Sequence, residues 1–358
     1  MNTFGRKFRV SIFGESHGEA IGVVLDGVQP GLSISPEDFL KDILRRKSGP
    51  KGTTPRIETD MPELLSGIYN GYTTGAPMTI LFHNKNTRST DYKLFNDVPR
   101  PGHADYTASL KWLDFNDPRG GGHFSGRLTL PIVAAGVIAK KMLGYPIKAE
   151  LIEVGGISKK QALSSYKEEA LPDGGIEEND TLTASQIWKE VLAEAMGEMD
   201  SIGGVVECKV ENVPAGLGEP FFDSVESMIS HAVFSIPGVR GIEFGDGFKA
   251  AAMRGSEHND PFDSVEKDGL NLHLNVRPSK NGAGGVNGGI TNGNPIVFRT
   301  AFKPTSSIGK KQQTFNFAKR EMTSLQIPGR HDACFALRTP VVVEAMTAIA
   351  LADLTRML

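Results

Sequence analysis

Apolar and polar positions alternate or cluster in a way that divides the chain into strand-like and helix-like runs. "KFRVSIFG" and "AIGVVLDGV" near the N-terminus read as strands. "SPEDFLKDILRR" reads as a helix, with Ser35 as N-cap, Pro36 in the first turn and Phe39, Leu40, Ile43 and Leu44 on one face. "SGIYNGYTTGAPMTILFHN" predicts two strands joined by a Gly/Thr turn. "GRLTLPIVAAGVIAKKML" predicts a helix with little polar face, which belongs between layers rather than at a surface. A strand, a polar loop containing "PDGG" and an amphipathic helix, "TASQIWKEVLAEAM", occupy the stretch from Tyr145 to Asp200.

The second half repeats the first. "GVVLDGVQPGLSISPEDFLKDI" (from Gly22) resembles "GVVECKVENVPAGLGEPFFDSVESMI" (from Gly204). "GIYNGYTTGAPMTILF" (from Gly67) resembles "GITNGNPIVFRTAF" (from Gly289), and "GRLTLPIVAAGVIAKKML" resembles "ALRTPVVVEAMTAIALADL" (from Ala336). The pairs keep their order. The pattern predicts one α+β body of two pseudo-repeats, approximately residues 1–144 and 201–358, joined by 145–200, with hairpins that imply antiparallel sheets.

Composition narrows the class. A chain of 358 residues is long enough for a large core, and by length alone suggests two domain-sized units. A net charge of -3 implies neither a nucleic-acid nor an anionic-membrane partner. Two cysteines provide no disulfide framework and fit a reducing compartment, and no signal peptide or membrane-spanning stretch is visible, so a cytoplasmic location is expected. No His, Cys or carboxylate spacing matches a zinc or calcium site, and neither a Walker nor a Rossmann glycine pattern is present.

Candidate chemistry gathers on glycine-flanked loops: "GESHG", "RRKSGPKGTTPR", "RPGHADYT", "RGGGHFSGR", "KPTSS" and "PGRHDACFALR". Arginines beside exposed amides suit a polyanion, "KPTSS" offers a cation with three hydroxyls, and histidines on such corners exchange protons near neutral pH. Asp332, next to His331, is a candidate base. His83, His231, His258 and His273 read as ordinary structural or solvated histidines, and Arg45-Arg46-Lys47 taken alone reads as a cationic helix end. The residues by themselves point to an enzyme acting on a small phosphorylated anion.

"FGESHG", "RPGHADYT", "RGGG", "DSIGG", "GLGEP", "KPTSS" and "GRHD", in this order, resemble the chorismate synthase family from Phe4 to about Leu354. The resemblance implies a helical layer sandwiched between antiparallel β-sheets with an internal duplication. It implies 1,4-anti elimination of phosphate from 5-enolpyruvylshikimate 3-phosphate, giving chorismate, with reduced FMN required and no net redox change. It implies a homotetramer, and it leaves NADPH or an external reductase as the source of reductant. Residue by residue it implies catalytic roles for His17, His103 and Asp332 and substrate contacts from Ser16, Arg45, Lys51, Arg100, Arg127 and Arg330. For the FMN side it implies His123, Phe124, Ser125, Pro237, Gly238, Gly288, Lys303, Pro304, Thr305, Ser306, Ser307 and again Arg330. This chain has Lys51 where the family often has Arg, His123-Phe124 where Arg-Ser is frequent, and Ala333 where Pro is common.

Overall fold

Alternation along two central strands shows how the layers face one another. In Met78–His83 the residues Met78, Ile80 and Phe82 are buried, and in Ile296–Phe302 so are Ile296, Phe298, Thr300 and Phe302. Each sheet therefore has one dry face, and a helical layer covers it. The computed structural model describes residues 1–48, 52–53, 59–85, 94–162, 180–266, 275–327 and 331–357. Lys51 and Arg330 lie outside the described residues, as does the "PDGG" loop.

The first sheet contains β1 (Thr3–Phe4), β2 (Arg9–Gly14), β3 (Ala20–Asp26), β4 (Glu63–Ser66) and a later strand. A small hairpin, β5 (Ile68–Tyr69) with β6 (Tyr72–Thr73), precedes that strand, β7 (Met78–His83). The sheet order is β1-β2-β3-β7-β4, all antiparallel. The segment read as two strands is thus a short hairpin followed by one long strand. The second sheet starts with β8 (Ile147–Val154), β9 (Ile157–Ser158), β10 (Gly204–Val210) and β11 (Val239–Phe244). After the ribbons β12 (Phe262–Glu266) with β13 (Asn275–Pro278) and β14 (Val286–Asn287) with β15 (Ile290–Thr291), it is completed by β16 (Ile296–Phe302). Its order is β11-β16-β10-β8-β9, and a last ribbon joins β17 (Gln312–Asn316) to β18 (Glu321–Leu325). In each sheet the strand after the small hairpin pairs with an earlier strand, β7 with β3 and β16 with β10.

Four helices fill the middle. α1 (Glu37–Arg46) packs on α4 (Thr129–Leu143), and the helix Val225–Val233 packs on the helix Pro340–Thr355. Between α1 and α4 the chain forms the short α2 (Leu94–Asp97) and α3 (Asp105–Trp112). α4 and Pro340–Thr355 are buried on nearly every side, as their lack of a polar face requires. They cross closely: a β-carbon on Gly136 would lie 2.3 Å from the Ala345 β-carbon, so glycine is required there. The first sheet covers α4 through β2, β3 and β7, and the second covers Pro340–Thr355 through β8 and β10. One hydrophobic cluster draws on both halves.

Two details of α1 differ from the sequence reading. The helix begins behind Pro36 with no side-chain cap; instead the Ser35 amide donates to the Asp38 carboxylate at 2.8 Å. Leu44 is exposed, and the buried face is Phe39, Asp42, Ile43 and Arg46.

Candidate active site

Three consecutive glycines organise the site. Gly120, Gly121 and Gly122 all have positive φ, at 62, 82 and 53°, in the turn Arg119–Phe124. A β-carbon on Gly122 would come 2.0 Å from the Asp117 carbonyl oxygen, and one on Gly120 would come 2.5 Å from His17 Cδ2. The turn can therefore press against its neighbours only as glycine. Gly121 faces His103, whose Nε2 lies 3.5 Å from the position a β-carbon would take. His17 and His103, from segments far apart in sequence, thus flank one turn. The Ser16 amide donates to the Gly122 carbonyl at 3.1 Å, which ties the "GESHG" corner to it.

This turn borders a cavity of about 970 Å³. Among the sequence-predicted residues, Ser16, His103, His123, Phe124, Ser125, Arg127, Pro237, Gly238, Lys303, Pro304, Thr305, Ser306, Ser307 and Asp332 line it. Both halves contribute. His17, 8% exposed, stands behind Gly120 rather than on the wall.

Besides His17, three predicted residues among those described, Arg45, Arg100 and Gly288, are not brought to the cavity wall. Arg45 donates to both carboxylate oxygens of Glu344, at 2.8 and 2.6 Å, and Glu344 also holds Lys140. This carboxylate occupies the guanidinium, and the next residue, Arg46, lines the cavity instead. Arg100 is drawn inward by Asp105, to which Nε and Nη2 each donate at 2.8 Å, and by Ser307 at 3.1 Å. Gly288 sits with φ of 61° in the β14–β15 turn, where an added β-carbon would meet nothing within 4 Å among the described residues.

The cavity also holds two cations that the sequence patterns do not single out, Arg46 and Arg338. With the predicted Arg127 they cluster with Asp60 and Asp332. Arg127 donates to Asp60 and, through Nε, to Asn84 at 3.0 Å; Arg338 Nη2 donates to Asp332 at 2.7 Å and stacks over Phe335. Burial pushes Arg46 down to about 9, with the like charges of Arg338 and Arg127 adding to it and Asp60 and Asp332 opposing. That is still well above neutrality, so the cluster holds three cations against two carboxylates. Arg127 Nη2 and Arg338 Nε are buried with no hydrogen-bond partner among the described residues. Buried donors of this kind, in a wall with surplus positive charge, suit a bound anion.

The opposite stretch is built from Lys303–Ser307 and the turn at Pro237-Gly238. Gly238 has φ of 90°, and its carbonyl accepts the Lys303 amide at 2.8 Å. Lys303 Nζ donates to the Gly102 carbonyl at 2.9 Å, and burial, with Arg240 nearby, lowers its pKa. Thr305 Oγ1 is buried without a partner among the described residues. Ile236, Phe335, Met346 and Ile349 add an apolar wall. His123 donates from Nδ1 to the Gly14 carbonyl at 2.8 Å, so its side chain braces β2, while Phe124 packs on Trp112. His231, read from sequence as incidental, also lines the cavity and meets Phe4 edge-on.

A helix-filled sandwich of two antiparallel sheets, with one cation-rich cavity flanked by histidines, defines the class as an enzyme for small polyanions. The comparisons carry this to a family. A family model described as chorismate synthase matches residues 8–355. A chorismate synthase of Chitinophaga pinensis is 54% identical over 355 residues, covering 99% of this chain and 96% of its own. One from Dehalococcoides mccartyi is 45% identical over 99% of this chain and 96% of its own. A solved structure described as a crystal structure of chorismate synthase aligns with a TM-score of 0.70 at 26% identity, covering 98% of this chain and 92% of its own. The chain belongs to the chorismate synthase family. Among the described residues, no helix is long and apolar enough to cross a membrane.

Proposed function

We propose that the cavity eliminates phosphate from 5-enolpyruvylshikimate 3-phosphate to form chorismate. The observation that carries the reading is that one cavity is lined by the arginine cluster, by His103 and by the Lys303–Ser307 loop. The substrate is a phosphate monoester with two carboxylates. Arg46, Arg127 and Arg338 would hold its anionic groups and stabilise charge growing on the departing phosphate. His17, backed by Ser16, would supply the proton to that phosphate across the Gly120 turn, and Asp332 would take part in moving the C6 proton.

The residues fit a flavin mononucleotide. The buried Thr305 hydroxyl and the Lys303–Ser306 pair offer polar groups for its phosphate and ribityl chain, and the apolar wall suits a flat ring. Bound in reduced form, this cofactor supplies electron density that assists loss of an allylic phosphate and recovers it as hydrogen leaves. His103 would face it. The chain would work as a single domain of two pseudo-repeats, assembled as a homotetramer in the cytoplasm, with NADPH or an external reductase keeping the flavin reduced.

The test is anaerobic single-turnover phosphate release from enolpyruvylshikimate phosphate with reduced FMN. Stoichiometric phosphate and chorismate, with the flavin still reduced at the end, are expected. Flavin oxidised once per turnover would replace this reading with net hydride transfer.

A further inference from the structure

The segment "RPGHAD" places an arginine, a histidine and a carboxylate within six residues, and the fold turns all three onto one another. The Asp105 carboxylate lies 2.6 Å from His103 Nδ1. Its other contacts come from Arg100: the amide and Nε donate to Oδ2 at 3.0 and 2.8 Å, and Nη2 donates to Oδ1 at 2.8 Å. Arg100 is itself fixed by Ser307 and by the Phe95 ring, 4.5 Å beneath the guanidinium. The carboxylate side chain is 8% exposed and cannot turn without breaking several bonds at once.

We infer that Asp105 is a positioning residue for His103, fixing the tautomer that carries its proton on Nδ1 and leaves Nε2 as a lone pair at the Gly121 side of the cavity. An ionised carboxylate only accepts, so the proton between Nδ1 and Oδ1 must belong to the ring. Arg100 Nη2, 3.1 Å from Nδ1, has its acceptor in the same Asp105 oxygen. Burial disfavours a charged His103, Arg100 and Lys303 add to that, and Asp105 opposes it. A neutral ring with Nδ1 protonated has a basic Nε2. This deepens the functional reading above and rests on it only for the step His103 serves.

Two measurements separate the inference from that reading. The first is the tautomer of His103 in the unmutated full chain, by long-range proton–nitrogen NMR with labelled histidine, assigned by difference against His103→Gln. Protonation at Nδ1 is expected; protonation at Nε2 overturns the inference, whether or not the chain forms chorismate. The second is Asp105→Asn, which keeps shape but must turn its oxygen to Arg100 and its amide to Nδ1. Turnover is expected to fall by about 10–10²-fold, with KM for the phosphorylated substrate within about threefold, as for loss of a group acting in the chemical step. The acidic limb of its pH–rate profile moves to lower pH, because the group that favours the imidazolium is gone. Asp105→Glu, still acceptor-only, recovers part of the rate. An Asn variant with parental rate and pH profile overturns the proposal. If that variant does not fold, the tautomer in the unmutated chain decides.

Discussion

The imidazole of His17 rests on Gly120, where a β-carbon would intrude to 2.5 Å of Cδ2 and 2.6 Å of Nε2. The ring is held by a surface that exists only because a side chain is missing. Gly120→Ala displaces His17 and strains a residue at φ of 62°. The expected cost is about 1–3 kcal/mol of stability, read by thermal unfolding. Phosphate release should slow by roughly 10²-fold or more, while FMN affinity stays near the parental value. An unaltered rate would remove His17 from the mechanism.

Arg338 is expected to hold an anion through its buried, unpartnered Nε. Arg338→Ala should weaken binding of inorganic phosphate and substrate by about 1.5–3 kcal/mol, the range for a charged hydrogen bond. Calorimetry checks this, and the loss should be largest at low salt. Equal affinity in parent and variant would mean that the orphan donor faces no ligand.

Acid should unfold the protein partly through Asp105. Burial alone would raise this carboxyl, but Arg100 and His103 together hold it well below the ordinary carboxylate range. A depressed carboxyl stabilises the fold above its unfolded pKa, about 4, and loses that contribution as pH falls through the folded value. His103 acts in the same direction: its pKa is lowered, so protonation below about 6.5 favours the unfolded chain. Urea midpoints measured from pH 3 to 7 should fall more gently for Asp105→Asn than for the parent. Parallel curves would show that the group does not contribute.

Arg45 and Arg46 can be told apart through Glu344. Glu344→Gln leaves Arg45 and Lys140 with only the Asp42 carboxylate and should destabilise the fold by roughly 3 kcal/mol, the low end for breaking a buried ion pair, because Glu344 is buried but Arg45 is exposed. Phosphate affinity should stay within about twofold, since the network lies away from the cavity wall. A large loss of affinity would return Arg45 to the site.

Much of this was legible in the sequence for identifiable reasons. Met78, Ile80 and Phe82 declare a half-buried strand by period, and the stretch from Leu130 to Ala139 has no polar face to offer water. His17 and His103 were visible because each sits beside glycine, and their shared turn is glycine as well. Arg46 was missed because the arginine pair was read as a helix end. Counting from Phe39 and Ile43 at helical spacing would have put Arg46, not Arg45, on the inner face. Arg100 looked like a free cation because its partner, Asp105, becomes its neighbour only through the turn at Gly102. Arg338 and the cluster around it depend on contacts between segments some 300 residues apart, which no local pattern encodes.

The amides of Arg6, Lys7 and Phe8 all donate to the carboxylate of Asp353, which is completely buried. The edge of the first sheet is therefore fastened by a side chain that the ribosome adds 345 residues after Phe8. A nascent chain must carry its opening strands without that clasp until the helix Pro340–Thr355 has been made. Asp332 and Arg338 arrive in the same late stretch, so the cavity cannot be assembled before that stretch has been made. Such long-range closure predicts slow folding and an interval in which the unfinished first half depends on chaperones.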